Sequence, residues 1–245
     1  MASPFALAAS GQVGEDFFKE RDVGSLCQAQ TQHVFCFDWA KENIDRFGQP
    51  TVEHLQIVIP AILIGFVIAF ALALISHRIR WLQPPLLAAT GILYTIPSIA
   101  FFFLLLPVTG LGRDTAIIVL AAYTLQIIFR NTILGLNNVP ASVTDAARGM
   151  GLTQRQILWK VELPLAIPEI IAGLRVAVVS TIAIATLAVL ISAGGLGTQM
   201  YGSNLTFPTS IIIAAAIVML MALAFDAILL LVQRLTTPWR RAAQA

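Results

Sequence analysis

From Leu55 onward the chain alternates long apolar runs with short polar interruptions. The runs predict five helices, Leu55–Ile75, Leu82–Leu106, Asp114–Leu136, Pro168–Ile191 and Thr209–Val232. Crossing a hydrocarbon core of ~30 Å takes about 20 apolar residues at about 1.5 Å rise each, and every run is of that order. None shows the residue-by-residue alternation of a β-barrel strand. In lipid each backbone polar group must pair within its own segment, so the runs read as helices and the fold class as all-α and transmembrane. Residues 1–54, which lack such a run, form a separate N-terminal segment ahead of a membrane domain spanning 55–245.

Composition agrees. Hydrophobic residues make up 58% and charged residues 11%, with a mean hydropathy of +0.83, whereas a soluble domain carries roughly 25% charge. The net charge of +2 and the absence of any Lys/Arg run give no reason to expect a nucleic-acid partner. The placement of the charges says more. Arg78, Arg80, Arg130, Arg148, Arg155, Lys160, Arg234, Arg240 and Arg241 fall on one side of the predicted spans, against Arg113 in the short loops opposite. The side rich in Lys and Arg is expected to be cytoplasmic, with the N-terminus outside and the C-terminus inside. Trp81, Trp159 and Trp239 fall on that same side, at the level where indoles favour the interface.

The N-terminal segment holds Glu15, Asp16, Glu20, Asp22, Asp38, Glu42 and Asp45, and Trp39, Ile44 and Phe47 form one face of an expected short interfacial helix. Met1–Ser10 has no basic residue ahead of its short apolar stretch and makes a poor signal peptide. Cys27 and Cys36, the only cysteines, are nine positions apart. In an oxidising compartment they can close a small disulfide loop, and they serve equally as two unpaired thiols; His33 alone between them is too little for a metal site.

The longest polar interruption between spans runs from Asn137 to Pro164. Pro140 and Ser142 suit a helix start, Asp145 suits the positive end of the helix dipole, and Ala146 and Ala147 present a low surface. Gly151 allows a turn, Thr153 can cap a second helix to about Val161, and Pro164 is expected to end it. Two short helices at a sharp angle would make a rigid knob. On composition alone the segment reads as readily as an amphipathic loop lying at the headgroups.

The spacing resolves that choice. Asp145-Ala146-Ala147, three residues, Gly151, nine residues and Val161-Glu162-Leu163-Pro164 resembles the EAA loop of ABC importer permeases, Glu-Ala-Ala, three residues, Gly, nine residues, Ile-x-Leu-Pro. Asp stands for Glu and Val for Ile. Thr95-Ile96-Pro97-Ser98, Arg130-Asn131-Thr132 and Ser192 through Gly197 extend the likeness to the osmoprotectant branch, the permeases of glycine betaine, carnitine and choline importers. The resemblance covers most of the chain after Leu55 and departs at Tyr94, where related sequences tend to carry Gln.

It implies a type I importer permease of five helices in a bacterial plasma membrane, working with a second permease copy or paralogue. An ATP-binding subunit dimer would dock onto the loop through Asp145, Ala146, Ala147, Arg148, Gly151 and Pro164, and an extracytoplasmic binding protein would deliver substrate. ATP and Mg would sit on the partner ATPase and no cofactor on this chain, which shows no nucleotide-binding motif, metal cluster or catalytic constellation. Permeases for methionine or sulfonates are the nearest competitors within the class.

Four further features carry weight. Pro97 is expected to kink the second span, and the hydroxyls of Thr95 and Ser98 beside it would line a pathway or satisfy the freed backbone. Gly194, Gly195 and Gly197 read as a re-entrant turn or, more simply, as a tight exposed one, and do not resemble a phosphate loop. Tyr94, Phe101, Phe102, Phe103 and Tyr123 are able to meet a quaternary ammonium, and pack equally well against lipid or helices. Asp226 is the one carboxylate deep in the fifth span, eight residues before Arg234; ionised at a helix centre it costs about 2.5 to 3.5 kcal/mol. An ion-coupled carrier would depend on it, whereas in an importer Asp226→Asn is expected to be tolerated or mildly damaging.

Overall fold

The computed structural model describes residues 35–201 and 208–237. The described residues form ten α-helices, α1 (Phe37–Asn43), α2 (Gly48–Arg78), α3 (Gln83–Thr95), α4 (Ser98–Thr109), α5 (Arg113–Asn137), α6 (Ala141–Gly149), α7 (Gln154–Ile157), α8 (Leu163–Ala185), α9 (Gly197–Tyr201) and α10 (Pro208–Thr236). Four continuous stretches are long and apolar enough to span a membrane: 37–78, 113–137, 154–191 and 208–236. The second expected span, Leu82–Leu106, is instead a broken pair. α3 and α4 meet at 97° across Ile96 and Pro97, so the kink expected at Pro97 is a complete interruption.

α5 is the central helix, packed against α2, α3, α4 and α8, while α10 lies at the periphery on α8 and α9. The α2–α5 contact follows from a stripe of small residues. Ala61, Gly65, Ala69 and Ala73 recur every four residues and are all buried, while Leu63, Ile64, Val67 and Ile68 on the opposite side are exposed. Small side chains let helix backbones approach closely where lipid offers no hydrophobic drive to associate. The larger core side chains Ile57, Val58, Phe102, Val119, Leu120 and Ile182 fill the space at one end of this seam. Buried threonines return their hydroxyl protons to the preceding turn, Thr132 to the Ile128 carbonyl at 2.7 Å and Thr181 to the Ala177 carbonyl at 2.7 Å.

Gly65 marks the closest approach. A methyl group there would overlap the Thr124 hydroxyl and come within 2.8 Å of the Ala121 carbonyl. Gly65→Ala is therefore expected to lower the thermal midpoint of the detergent-purified protein, at an overpacking cost of about 1–3 kcal/mol. Adding Thr124→Ala should restore only part of the loss, because the Ala121 carbonyl is backbone and cannot yield. Full recovery in the double variant, read by size-exclusion after heating, would show that the carbonyl does not limit the approach.

The N-terminal helix differs from its expectation. Trp39 and Phe47 pack on Leu196, Met200, Ile213 and Ala214 of α9, α10 and the turn before α9, while Ile44 is exposed, so the three do not share one face. Cys27 and His33 lie outside the described residues, as do Trp239, Arg240 and Arg241.

Candidate functional site

The segment between α5 and α8 forms the expected knob, and its local chemistry explains why. Pro140 precedes α6 in an extended conformation (φ −60°, ψ 134°). At the other end the Leu152 N–H bonds to the Ala147 carbonyl at 3.2 Å and the Gly151 N–H to the Arg148 carbonyl at 2.9 Å. This is the Schellman pattern, and it requires Gly151 in the left-handed region, at φ +80°. Thr153 then caps α7 through a reciprocal box with Gln156.

The next step departs from expectation. α7 does not end at Pro164. It passes through a π turn, Leu158–Glu162, and continues into α8 with Pro164 in the first turn. The Leu163 N–H reaches back five residues to the Leu158 carbonyl. The wider turn lets the helix run past a residue that has no N–H to give.

The knob has an inner and an outer face. Ala147 and Ile157 are buried and anchor it, whereas Asp145, Ala146, Arg148 and Met150 are exposed. Arg148 pairs with Asp145 at 3.1 Å along the exposed face. Of the residues expected to meet a partner, Asp145, Ala146, Arg148 and Gly151 are presented outward. Ala147 holds the knob from inside, and Pro164 lies in the shaft behind it. His77 at the end of α2 bonds Glu162 in the π turn at 3.1 Å, tying the shaft to the bundle.

Asp226 has a partner that lies in another helix. Arg175 on α8 donates through Nε and Nη2 to its two carboxylate oxygens, both at 2.8 Å. Arg234, on the same helix as Asp226, is not what satisfies it. Asp226 and Arg175 are about 30% exposed and border an open cavity of about 390 Å³ with Ala172, Val176, Val179 and Ser180.

The glycine-rich turn is built inward, contrary to the exposed-turn reading. Ser192 (φ +58°), Gly194 and Gly195 (both φ +83°) reverse the chain so that Ala193, Gly195 and Leu196 are buried, Gly195 directly against His54 of α2. The Gly195 N–H bonds the Glu53 carboxylate at 3.1 Å, and Arg113 bonds Gln56 at 2.6 Å beside it. The buried His54 ring donates from Nε2 to the Ile182 carbonyl at 3.0 Å. Sequence reasoning gave no role to Glu53, His54 or Arg175; Arg175, a charge inside the fourth run, was an available signal, whereas Glu53 and His54 precede the first run.

At the α3–α4 break, Tyr94, Thr95 and Pro97 are exposed. Thr95 donates its hydroxyl proton to the Ile92 carbonyl at 2.7 Å, so it does satisfy backbone. The Tyr123 hydroxyl donates to the Ile96 carbonyl.

This architecture, a helical membrane domain with a two-helix knob continuous with a spanning helix, is that of an importer permease. The chain belongs to the family of binding-protein-dependent transport system inner membrane components, whose pattern matches residues 57–241. It is 34% identical over 189 residues to the choline transport system permease protein OpuBB of Bacillus subtilis (strain 168), covering 77% of this chain and 87% of that one. It is 35% identical to the osmoprotectant import permease protein OsmW of Salmonella typhimurium, covering 80% and 94%. The glycine betaine/carnitine/choline transport system permease protein OpuCB of Bacillus subtilis is also 35% identical, over 77% and 87%. The fold matches a chain of the MetNI methionine ABC transporter in an inward-facing conformation, with a TM-score of 0.70 over 78% of this chain and 96% of that one; at 22% identity this likeness speaks for the type I importer fold alone. Membership in this family removes the ground for reading Asp226 as the centre of an ion-coupled carrier.

Proposed function

We propose that the chain forms the translocation pathway of an ATP-driven importer of quaternary amines such as choline, carnitine or glycine betaine. It works as a pair with a second permease, takes substrate from a binding protein outside, and has no ATPase activity of its own. The N-terminus lies outside, as the distribution of basic residues supports. ATP hydrolysis belongs to separate subunits that seat against Asp145, Ala146 and Arg148. The substrate class rests on the names of relatives at about 35% identity. The Cys27–Cys36 disulfide belongs to the same proposal, as a closure of the outer segment.

The observation that carries the mechanism is the unbroken path from the knob into the membrane. Stretch 154–191 is one continuous helical column, in which α7 runs through the π turn into α8 and ends in a 3-10 segment, Thr186–Ile191. A push on α6 by the closing ATPase pair passes through the Schellman turn into this column, which carries Arg175 and leads to the Ser192–Gly197 turn at the other end. A helix is stiff along its axis, and the π turn, a local irregularity of the kind found at functional sites, is where the column can flex. ATP-driven closure thus moves both ends of the pathway together, and ATP hydrolysis and release return it.

The test is gentle affinity purification from native membranes. An ATP-binding subunit is expected to co-purify, and labelled choline, carnitine and glycine betaine should compete for uptake into the cells. Competition by methionine or a sulfonate instead would move the substrate to another branch, and purification without any ATPase would defeat the importer reading.

A further inference from the structure

The α3–α4 break interrupts an apolar span and leaves Tyr94, Thr95 and Pro97 exposed. Among the described residues, the backbone carbonyls of Tyr94 and Thr95 accept no bond from the N–H groups of Ser98 and Ile99, which the 97° turn carries away. Ile96 bonds weakly back to Leu93 at 3.4 Å, and Phe101 to the Pro97 carbonyl at 2.9 Å. The break sits beside Tyr123, whose hydroxyl takes the Ile96 carbonyl, and Tyr123 is ten residues into the 25-residue α5. These unbonded carbonyls therefore lie near the mid-length of α5. Facing hydrocarbon, each would cost several kcal/mol, so irregular backbone at this depth belongs where it lines a water-filled path.

The chemistry of this surface is one-sided. Thr95 spends its proton on Ile92, leaving oxygen lone pairs outward. The carbonyls of Tyr94 and Thr95 end α3, the negative end of its dipole. Tyr94 is 42% exposed, its ring set edge-to-face against Tyr123 at 5.6 Å, and Tyr123 is in turn edge-to-face with Phe101 at 5.9 Å. Tyr123, only 4% exposed, is a positioning residue that holds both the break and the Tyr94 ring in place. No side chain from Tyr94 to Ser98 is charged.

We propose that the break holds a site for a quaternary ammonium group, which rests on the face of Tyr94 with the free carbonyls of Tyr94 and Thr95 beside it. Such a cation cannot donate hydrogen bonds, so it has no use for a carboxylate fork. Its charge is spread over methyl groups, and it loses little hydration on entering a site of π face and carbonyl dipoles. The inference rests on the importer reading and deepens it. The site makes the permease a second checkpoint on substrate chemistry after the binding protein, passing cations that fit the break and retarding uncharged solutes of the same shape.

The experiment measures equilibrium binding of choline and of its uncharged carbon isostere, 3,3-dimethylbutan-1-ol, to the permease–ATPase complex in nanodiscs without binding protein. The wild type should prefer choline. Tyr94→Leu should lose choline affinity by about tenfold, within the range of a desolvated cation–π contact, with the isostere unchanged. Tyr94→Phe should stay within about twofold, and Tyr94→Trp should match or exceed the wild type, since indole is the strongest π partner. A Tyr94→Leu complex that binds choline as the wild type does, or variants that lose both ligands alike, would overturn the site. Choline uptake by the reconstituted wild-type transporter, measured in parallel, tests the importer reading separately. No uptake alongside intact choline binding would defeat that reading and leave the site standing, whereas uptake without preferential binding would defeat the site alone.

Discussion

Asp226→Ala is expected to sharply reduce the amount of folded protein recovered from the membrane, and Arg175→Met, Asp226→Leu together to restore it. The geometry is that of a two-pronged charge-assisted pair, both bonds at 2.8 Å. Removing the carboxylate leaves an arginine near the centre of α8 that has no counterion and cannot shed its proton. An arginine at a helix centre costs about 2.5–3.5 kcal/mol, and breaking a buried pair costs about 3–5 kcal/mol. Because both side chains keep about 30% exposure, the lower figure, about 3 kcal/mol, is the one expected here.

Asp226→Asn should behave nearly as badly, since an amide does not neutralise the guanidinium. This reverses the mild effect expected when Asp226 is viewed without its partner. Removing both charges also removes the desolvation cost that each imposes, and apolar replacements of similar volume are often neutral or stabilising. The measurement is the thermal midpoint and monodisperse yield of purified protein for the two single variants and the double. If the double variant is as damaged as the singles, the pair does more than neutralise itself, and a role in the pathway beside the 390 Å³ cavity becomes the better account.

That reversal illustrates what a chain of this kind shows before it folds and what it withholds. The apolar runs and the Asp145–Pro164 spacing are local, and local features were legible: the spans, the knob, the turn at Gly151 and the cap at Thr153 all lie within a few residues of their causes. Features that depend on a second helix were not. Asp226 and Arg175 are 51 positions apart, and sequence distance hides what a membrane bundle places face to face. Pro97 announced a disturbance, but its size depends on Tyr123 reaching across from α5 to take the Ile96 carbonyl. Pro164 was misleading for the opposite reason. A missing N–H can be absorbed by a π turn as well as by a helix end, and the apolar packing of Leu163, Ala166 and Ile170 favours continuation. The four-residue period of Ala61, Gly65, Ala69 and Ala73 was open to reading. It is the signal that would have placed α2 against α5.

In Gly151→Asp, ATP-driven uptake is expected to fall at least tenfold while the protein still inserts, and the reason separates backbone from contact. A Cβ at residue 151 would meet nothing within 4 Å, so no steric damage reaches the spans. What changes is the conformation at φ +80°, which costs a residue with a Cβ about 1–2 kcal/mol. Relieving that strain means giving up the bonds from Gly151 to Arg148 and from Leu152 to Ala147, and with them the fixed angle between α6 and α7. The exposed Asp145–Arg148 face then no longer presents one geometry to a partner. Side chains differ in their tolerance of the left-handed region, asparagine and aspartate more than most and β-branched residues least, so backbone strain alone predicts uptake in the order Asn, Asp, Val. If charge beside Asp145 were the cause instead, Asp would be worst and Val would resemble Asn. Co-purification of the ATPase read across the three variants decides between them, because strain loosens the knob in proportion to the residue and charge does not. A Gly151→Val protein that both holds its ATPase and transports at the wild-type rate would mean that the α6–α7 angle is not what conveys the stroke.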